Sequence, residues 1–231
     1  MNIQKILKGC DFIDFGSGRG GCINFARKKL GGKNGLAIEI NKDLSKRLSD
    51  SGIQCICGDV TRVVLPRKSV RFVTMSHFLE HLDSLQGIKD SIKSALNTAT
   101  DFVFIEGPSF DFDAYLLSKK LKFFWYDGCG HKTRLATNQL IKIFREFNVK
   151  EFDMLVEVPF ISNSKSKDLL PVEAPDKQLW YDPTKHPSKK LIDFDRIIYR
   201  SFIFFLWLRG RKPYLLNSRS KFSHWKLYHY A

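Results

Sequence analysis

Cys10-Asp-Phe-Ile-Asp-Phe-Gly-Ser-Gly-Arg-Gly-Gly21 is the stretch on which the reading of this 231-residue chain turns. Phe12, Ile13 and Phe15 read as a short buried strand. It runs into a turn dense in glycine, at Gly16, Gly18, Gly20 and Gly21, and then into a helix that starts near Cys22. A helix placed directly behind such a turn points its free N–H groups and the positive end of its dipole at whatever lies over the turn.

The glycines alone leave two ligand classes open. Gly16, Gly18 and Gly21 satisfy the dinucleotide spacing G-x-G-x-x-G, while Asp14, Gly16, Gly18 and Gly20 form the spacing Asp-x-Gly-x-Gly-x-Gly. Asp14 separates them, because a carboxylate two residues before the first glycine repels a pyrophosphate and suits a ligand that carries an ammonium group. On these residues the chain resembles the class I S-adenosylmethionine-dependent methyltransferases. The resemblance implies that Asp14 supports the methionine amino end of the cofactor. Gly16, Ser17, Gly18 and Gly20 would then let the adenosine lie across the turn.

Working outward, Ile23, Ala26 and Leu30 recur at helical spacing, and Gly31-Gly32 ends that helix. Gly35-Leu-Ala-Ile-Glu-Ile40 is a compact strand whose tip carries Glu39, about 20 residues past the glycine turn, where an acid accepts hydrogen bonds from a ribose diol. Residues 42–51 read as a second helix and 53–57 as a third strand. Asp59 follows that strand beside Val60. The family places an acid there for the adenine amino group, and a Gly58-Asp59 turn that bonds its own backbone is the alternative.

Residues 70–75 form a fourth strand leading into Ser76-His-Phe-Leu-Glu-His81-Leu. This segment is similar to the Ser-x-x-x-Glu-His segment of the small-molecule, sugar and lipid branch of the family, the type 11-like methyltransferases. There it would lie beneath the reactive methyl group, with Ser76 and Ile40 among the cofactor contacts. Leu85, Ile88, Ile92 and Leu96 trace the inward stripe of the next helix, and residues 101–108 a fifth strand stopped at Gly107-Pro108.

Strands alternating with helices imply a mainly parallel sheet with helices on both faces and ligands at the carboxyl ends of the strands. Asp14, Glu39, Asp59 and Ser76 all fall at those ends. The expected fold is therefore α/β, a Rossmann-like doubly wound sheet of seven strands, mainly parallel with an antiparallel last strand.

Residues 110–127 are aromatic and basic, and read as a helical part of a lid over the substrate. Thr137 or Asn138 suits the N-cap of a helix carrying Leu140, Ile141, Phe144 and Phe147, with a sixth strand over 149–158 and a seventh within 196–208. Residues 1–210 are thus expected to form the methyltransferase domain, with substrate-facing insertions at about 108–130 and 160–195. Residues 211–231 form a basic aromatic tail.

Charge and composition set further bounds. The chain is 43% hydrophobic and 27% charged, as soluble globular proteins are. Its longest apolar run, residues 202–208, falls far short of the roughly 20 residues a spanning helix needs, and no signal peptide is visible. The expected location is cytoplasmic, with peripheral association at the inner face of the membrane as an option. The formal charge is +14, and residues 196–231 hold Lys and Arg but no Asp or Glu. Such a tail, interleaved with Tyr214, Phe222, Trp225, Tyr228 and Tyr230, could neutralise nucleic acid, dock on an anionic membrane, or fold back on the domain. Cys10, Cys22, Cys55, Cys57 and Cys129 show no C-x-x-C pair, which points to reduced thiols in core positions. No Cys/His spacing fits zinc, so no metal is expected.

For a hydroxyl acceptor the resemblance asks for positioning and a proton acceptor. His77 and His131 are the candidate bases, and His81 is expected to hold the turn together. The fourth strand lacks the Asn/Asp-Pro-Pro-Tyr and Pro-Cys endings of other methyltransferase classes. The expected partner is accordingly a small-molecule, sugar or lipid-linked glycan acceptor with S-adenosylmethionine as cofactor. An RNA or protein methyltransferase using the tail as a substrate arm, and an inactive binding module of the same fold, are the alternatives.

Overall fold

The computed structural model describes residues 3–126, 130–157, 163–166, 168–174, 201–208 and 225–229. A short helix, α1 (Ile3–Leu7), leads into β1 (Phe12–Phe15), α2 (Gly21–Lys29), β2 (Gly35–Glu39), α3 (Lys42–Asp50) and β3 (Gln54–Cys57). Then come β4 (Val70–Ser76), a single 3₁₀ turn at Leu79–His81, α4 (Leu85–Thr98) and β5 (Ala99–Pro108). The rest comprises α5 (Asp113–Ser118), β6 (Leu121–Phe123), α6 (Thr137–Glu146), β7 (Glu151–Glu157), β8 (Leu169–Pro171), β9 (Ser201–Trp207) and β10 (Trp225–His229).

One sheet of eight strands, ordered β10-β7-β9-β5-β4-β1-β2-β3, organises the chain. β3, β2, β1, β4 and β5 pair in parallel, and β9 inserts antiparallel between β5 and β7. That is the expected doubly wound arrangement. The sheet carries one strand more than the seven expected, because Trp225–His229 pairs antiparallel with β7 along its outer edge. This part of the tail is ladder, not free arm. The other tail residues, most of the 160–195 insertion and Cys129 lie outside the described residues.

Strand side chains alternate between two cores. Ile13, Phe15, Val73, Met75 and Ile105 meet α4 and α6 on one face. Phe12, Phe72 and Phe102 stand in register on β1, β4 and β5 on the other, stacked at 4.9 and 4.7 Å, with Trp207 of β9 opposite Phe102. Such fully buried aromatic rungs hold the central strands in one register, since a one-residue slip would turn each ring to the wrong face. Trp207 Nε1 donates to the buried Asp153 carboxylate of β7 at 2.6 Å, which satisfies both groups at the β7–β9 seam.

Several expectations need correction. Leu85 is solvent-exposed, whereas Ile88 and Ile92 are buried as expected, joined by Ser91 and Ala95, with Leu96 half-buried at the edge of the stripe. Thr137 is the first residue of α6 and not its cap; its N–H and hydroxyl both donate to the Asp111 carboxylate at 2.6 Å, so the cap comes from a distant loop. Among the described residues of the 110–127 segment, only Asp113–Ser118 is helical. Leu121–Phe123 is a strand paired with β8, and Phe110, Leu116, Phe123, Trp125 and Tyr126 bury one another in a third, separate cluster. Free thiols are found at Cys10, Cys22, Cys55 and Cys57, yet Cys57 is exposed and the other three are half-buried, so they are not core fillers.

Candidate functional site

The carboxyl ends of β1 and β2 build one end of the site. Asp14 is 1% exposed: its Oδ1 accepts from the Thr74 hydroxyl at 2.7 Å, while Oδ2 is buried without a hydrogen-bond partner among the described residues. Burial pushes the Asp14 carboxyl up to about 6, against the Thr74 hydrogen bond and with a small addition from the Glu39 charge. Ser17 closes the turn from beneath, its hydroxyl donating to the Asp14 carbonyl at 2.9 Å.

Gly16 and Gly18 adopt φ of 68° and 54°, in the left-handed region that a β-carbon disfavours. Their turn is held open by Glu39, whose Oε2 accepts the Gly18 N–H at 2.7 Å and whose Oε1 accepts the Asn41 N–H at 2.9 Å. Gly20 has a different role. A β-carbon there would come within 2.9 and 3.0 Å of Leu48 and Ile53, so the residue permits close packing on α3.

A cavity of about 770 Å³ opens over this turn and is lined by Gly16, Gly18, Glu39, Ile40, Asp59 and Val60. Ile40, two-thirds exposed at the tip of β2, offers an apolar face to a ring system. Asp59 Oδ1 accepts both the N–H and the hydroxyl of Thr61, so its carboxylate closes its own turn while it borders the cavity. Asp14, Ser17, Gly20 and Ser76 do not line it. Ser76 instead donates to Glu106 Oε2 at 2.7 Å.

The far wall comes from the segment after β4. His77 takes φ of 49°, a conformation uncommon for a residue with a side chain, and its N–H donates to the Glu106 carbonyl at 2.9 Å. This bend aims the imidazole into the cavity, where Nδ1 lies 3.2 Å from Oε1 of the buried Glu80. The Glu80 hydrogen bond raises the His77 pKa, with the Glu80 and Glu106 charges adding to it and burial opposing it.

The Glu80 carbonyl also accepts the N–H groups of Lys132 and Thr133 at 2.8 and 3.1 Å, and the Thr133 hydroxyl donates to Leu82 O at 2.6 Å. His81 Nδ1 meets Gly130 O at 3.1 Å, which ties this turn to a segment 49 positions away. These bonds bring His131 beside His81, ring centres 5.1 Å apart, although the two are 50 positions apart in sequence. Burial lowers the His131 pKa. Three polar groups had not been singled out from sequence: Thr74, Glu80 and Glu106. Glu80 carried a signal in the Glu-His pair; Thr74 and Glu106 carried none, since an inward polar residue in a strand is told only by its neighbours.

Residues 13–104 match the family model described as a methyltransferase domain. Over those residues the chain is similar to a methyltransferase domain. A search of the curated proteins returns no match. Solved structures similar in fold include S-adenosylmethionine-dependent methyltransferases from Archaeoglobus fulgidus (17% identity, TM-score 0.54, 88% of each chain covered) and Thermotoga maritima (14%, 0.53, 88% of this chain and 86% of that one). Another, from Methanosarcina mazei, covers 85% of this chain and 92% of its own at 11% identity and a TM-score of 0.51. At these identities the likeness is one of fold.

The cofactor that this likeness implies is S-adenosylmethionine. The residues present fit it on two counts: the unpartnered Asp14 Oδ2 suits a donor such as an ammonium group, and a β-carbon built on Gly18 meets nothing within 4 Å, so its turn stands open to a ligand. Glu39, with both oxygens already aligned by backbone N–H groups, retains lone pairs for ribose hydroxyls.

Proposed function

We propose that this methyltransferase O-methylates a hydroxyl of a sugar, a lipid-linked glycan or a comparable small polyol. The observation that carries this reading is the His77–Glu80 pair at the mouth of a cavity whose remaining wall, contributed after β4, is mostly polar, with His81, Asp83, Ser84, Gln86, Asp90 and Lys132 beside Phe78 and Leu82. A polyol finds hydrogen-bond partners along such a wall, whereas an apolar acceptor would leave them unpaired. Bound S-adenosylmethionine supplies an activated methyl group, so that an O–C bond forms as the C–S bond breaks, the electron pair stays on sulfur and the hydroxyl proton leaves.

His77 is the proton acceptor in this reading. Glu80 fixes the ring through Nδ1 and leaves Nε2 for the acceptor hydroxyl, as in other base–orienter pairs. His131, which does not line the cavity, is left to another role. A cytoplasmic location belongs to the same proposal. No described helix is long and apolar enough to cross a membrane, and the basic excess of the last residues supports contact with an anionic surface at the inner membrane face.

Incubation with methyl-labelled S-adenosylmethionine and, in parallel, a glycan panel, total RNA and protein extract tests the acceptor. Label recovered as methyl ethers on sugar, and lost in His77→Ala at unchanged cofactor affinity, is expected. Label confined to RNA or protein would overturn the reading in favour of a macromolecular substrate.

A further inference from the structure

Beneath the far wall of the cavity, one oxygen of Glu80 and one ring nitrogen each of His81 and His131 all lie within 4.8 Å of one another. Among the described residues no other group of His, Cys, Asp and Glu converges in this way. We propose that Glu80, His81 and His131 bind a divalent first-row transition metal ion at the acceptor end of the site.

The donor set carries the metal class. Two imidazoles and a carboxylate suit Mn, Fe, Co or Zn, and three protein ligands leave positions open for water or a substrate oxygen. Bonds of about 2.1 Å span donors up to about 4.2 Å apart, so side-chain rotations of a few tenths of an ångström complete the shell. The scaffold is already rigid, since the Glu80 carbonyl holds the 132–133 backbone and His81 Nδ1 is engaged by Gly130 O, which directs its Nε2 to the metal.

A second observation comes from His131. Its Nδ1 is buried with no hydrogen-bond partner among the described residues, a state that costs free energy unless something occupies it. Glu80 is buried as well, and a buried carboxylate between imidazoles is stabilised by a cation. His81 borders the cavity, so an ion held here reaches the acceptor. Resting on the hydroxyl-acceptor reading, its role there would be to bind the hydroxyl oxygen and make its proton easier to remove.

The full chain, stripped with a chelator, is titrated with Co²⁺, Mn²⁺, Zn²⁺ and Mg²⁺ by calorimetry, with the visible Co²⁺ spectrum recorded in parallel and neither acceptor nor cofactor present. One Co²⁺ per chain is expected. His81→Gln, Glu80→Gln and His131→Gln should each weaken it by at least about tenfold. Cys57→Ser, which removes an exposed thiol, should leave it unchanged. His81 is exposed, so its variant remains informative if the buried Glu80 variant fails to fold. Failure of the wild-type protein to bind any of the ions, or equal binding in all three ligand variants, overturns the proposal. Because no acceptor is used, metal binding without sugar methylation would refute the acceptor reading and leave the metal site standing.

Discussion

The cofactor end of the cavity is assembled from neighbours in sequence, and the acceptor end from strangers. Asp14, Gly18 and Glu39 belong to successive strand–turn–helix units, and Gly18 reaches Glu39 across 21 residues; the one longer side-chain bond described at this end, Thr74 to Asp14 over 60 positions, joins directly paired residues of the adjacent strands β4 and β1. At the other end Glu80 holds residues 132 and 133, His81 reaches across 49 positions to Gly130, and β6 pairs with a strand some fifty residues further on. Units that close locally can be kept while the acceptor end varies. A generic cofactor half and an individual acceptor half follow from that division. The central sheet supports both, while the aromatic cluster of residues 110–126 supports only the second.

That division is broken most directly in the sheet. Phe72 is fully buried between Phe12 and Phe102, and Phe72→Ala should cost about 3–5 kcal/mol. Urea unfolding should show both ends lost together in one transition. Separate transitions would mean that the halves fold independently, and the comparison would have to be redrawn.

Asp14→Asn should divide function from stability at the cofactor end. Loss of the buried charge partner should weaken S-adenosylmethionine binding by about 2–4 kcal/mol in calorimetry. The sign for folding is opposite. With its folded pKa raised to about 6 from 3.8, Asp14 binds a proton more tightly in the fold, so stability falls as pH rises through that window and stays lower above it, by about 3 kcal/mol. The apo variant should therefore melt higher than wild type at neutral pH and equal to it near pH 4. Cofactor affinity of the wild type should drop as pH falls through about 6, because a proton then competes with the ammonium group. An Asn variant less stable at neutral pH would show that the carboxylate is compensated in the apo protein.

The same asymmetry explains what could be read from sequence. The strand–turn–helix order, the doubly wound sheet and the carboxylates at Asp14, Glu39 and Asp59 are local signals, because period, glycine turn and strand tip all lie within a few residues of one another. The α6 cap was misread because its acceptor is Asp111, 26 residues upstream. Residues 110–127 looked like a helical lid because an aromatic run is equally consistent with a satellite core; pairing of β6 with β8 decides between them, and no spacing encodes it. No spacing encodes the triad of Glu80, His81 and His131 either, since His131 joins the other two only through the fold. The extra edge strand was hidden because a basic aromatic sequence alternates in the same way whether it pairs or is solvated.

In the acceptor half, Leu116→Ala should be milder than Phe72→Ala. Leu116 is fully buried, but in the separate aromatic cluster, which can collapse onto a vacancy more freely than the sheet; a loss of about 2 kcal/mol is expected. Hydrogen exchange should accelerate over 110–126 and not over β1 or β4, with cofactor affinity within about twofold of wild type. Acceleration across the sheet would show that the cluster braces the whole domain.

Lys132→Ala should have the smallest effect. The Lys132 ammonium lies 2.5 Å from Asp83, but both side chains are more than half exposed, so the pair is screened and the substitution should shift stability by less than about 1 kcal/mol. What fixes Lys132 is its backbone N–H on the Glu80 carbonyl, and alanine retains that donor. Metal titration of the variant should therefore match wild type, apart from a modest dependence on salt. Should Lys132→Ala weaken metal binding as much as His131→Gln does, the segment is positioned by its side chain rather than by the main chain, and the rigidity ascribed to the acceptor end is misplaced.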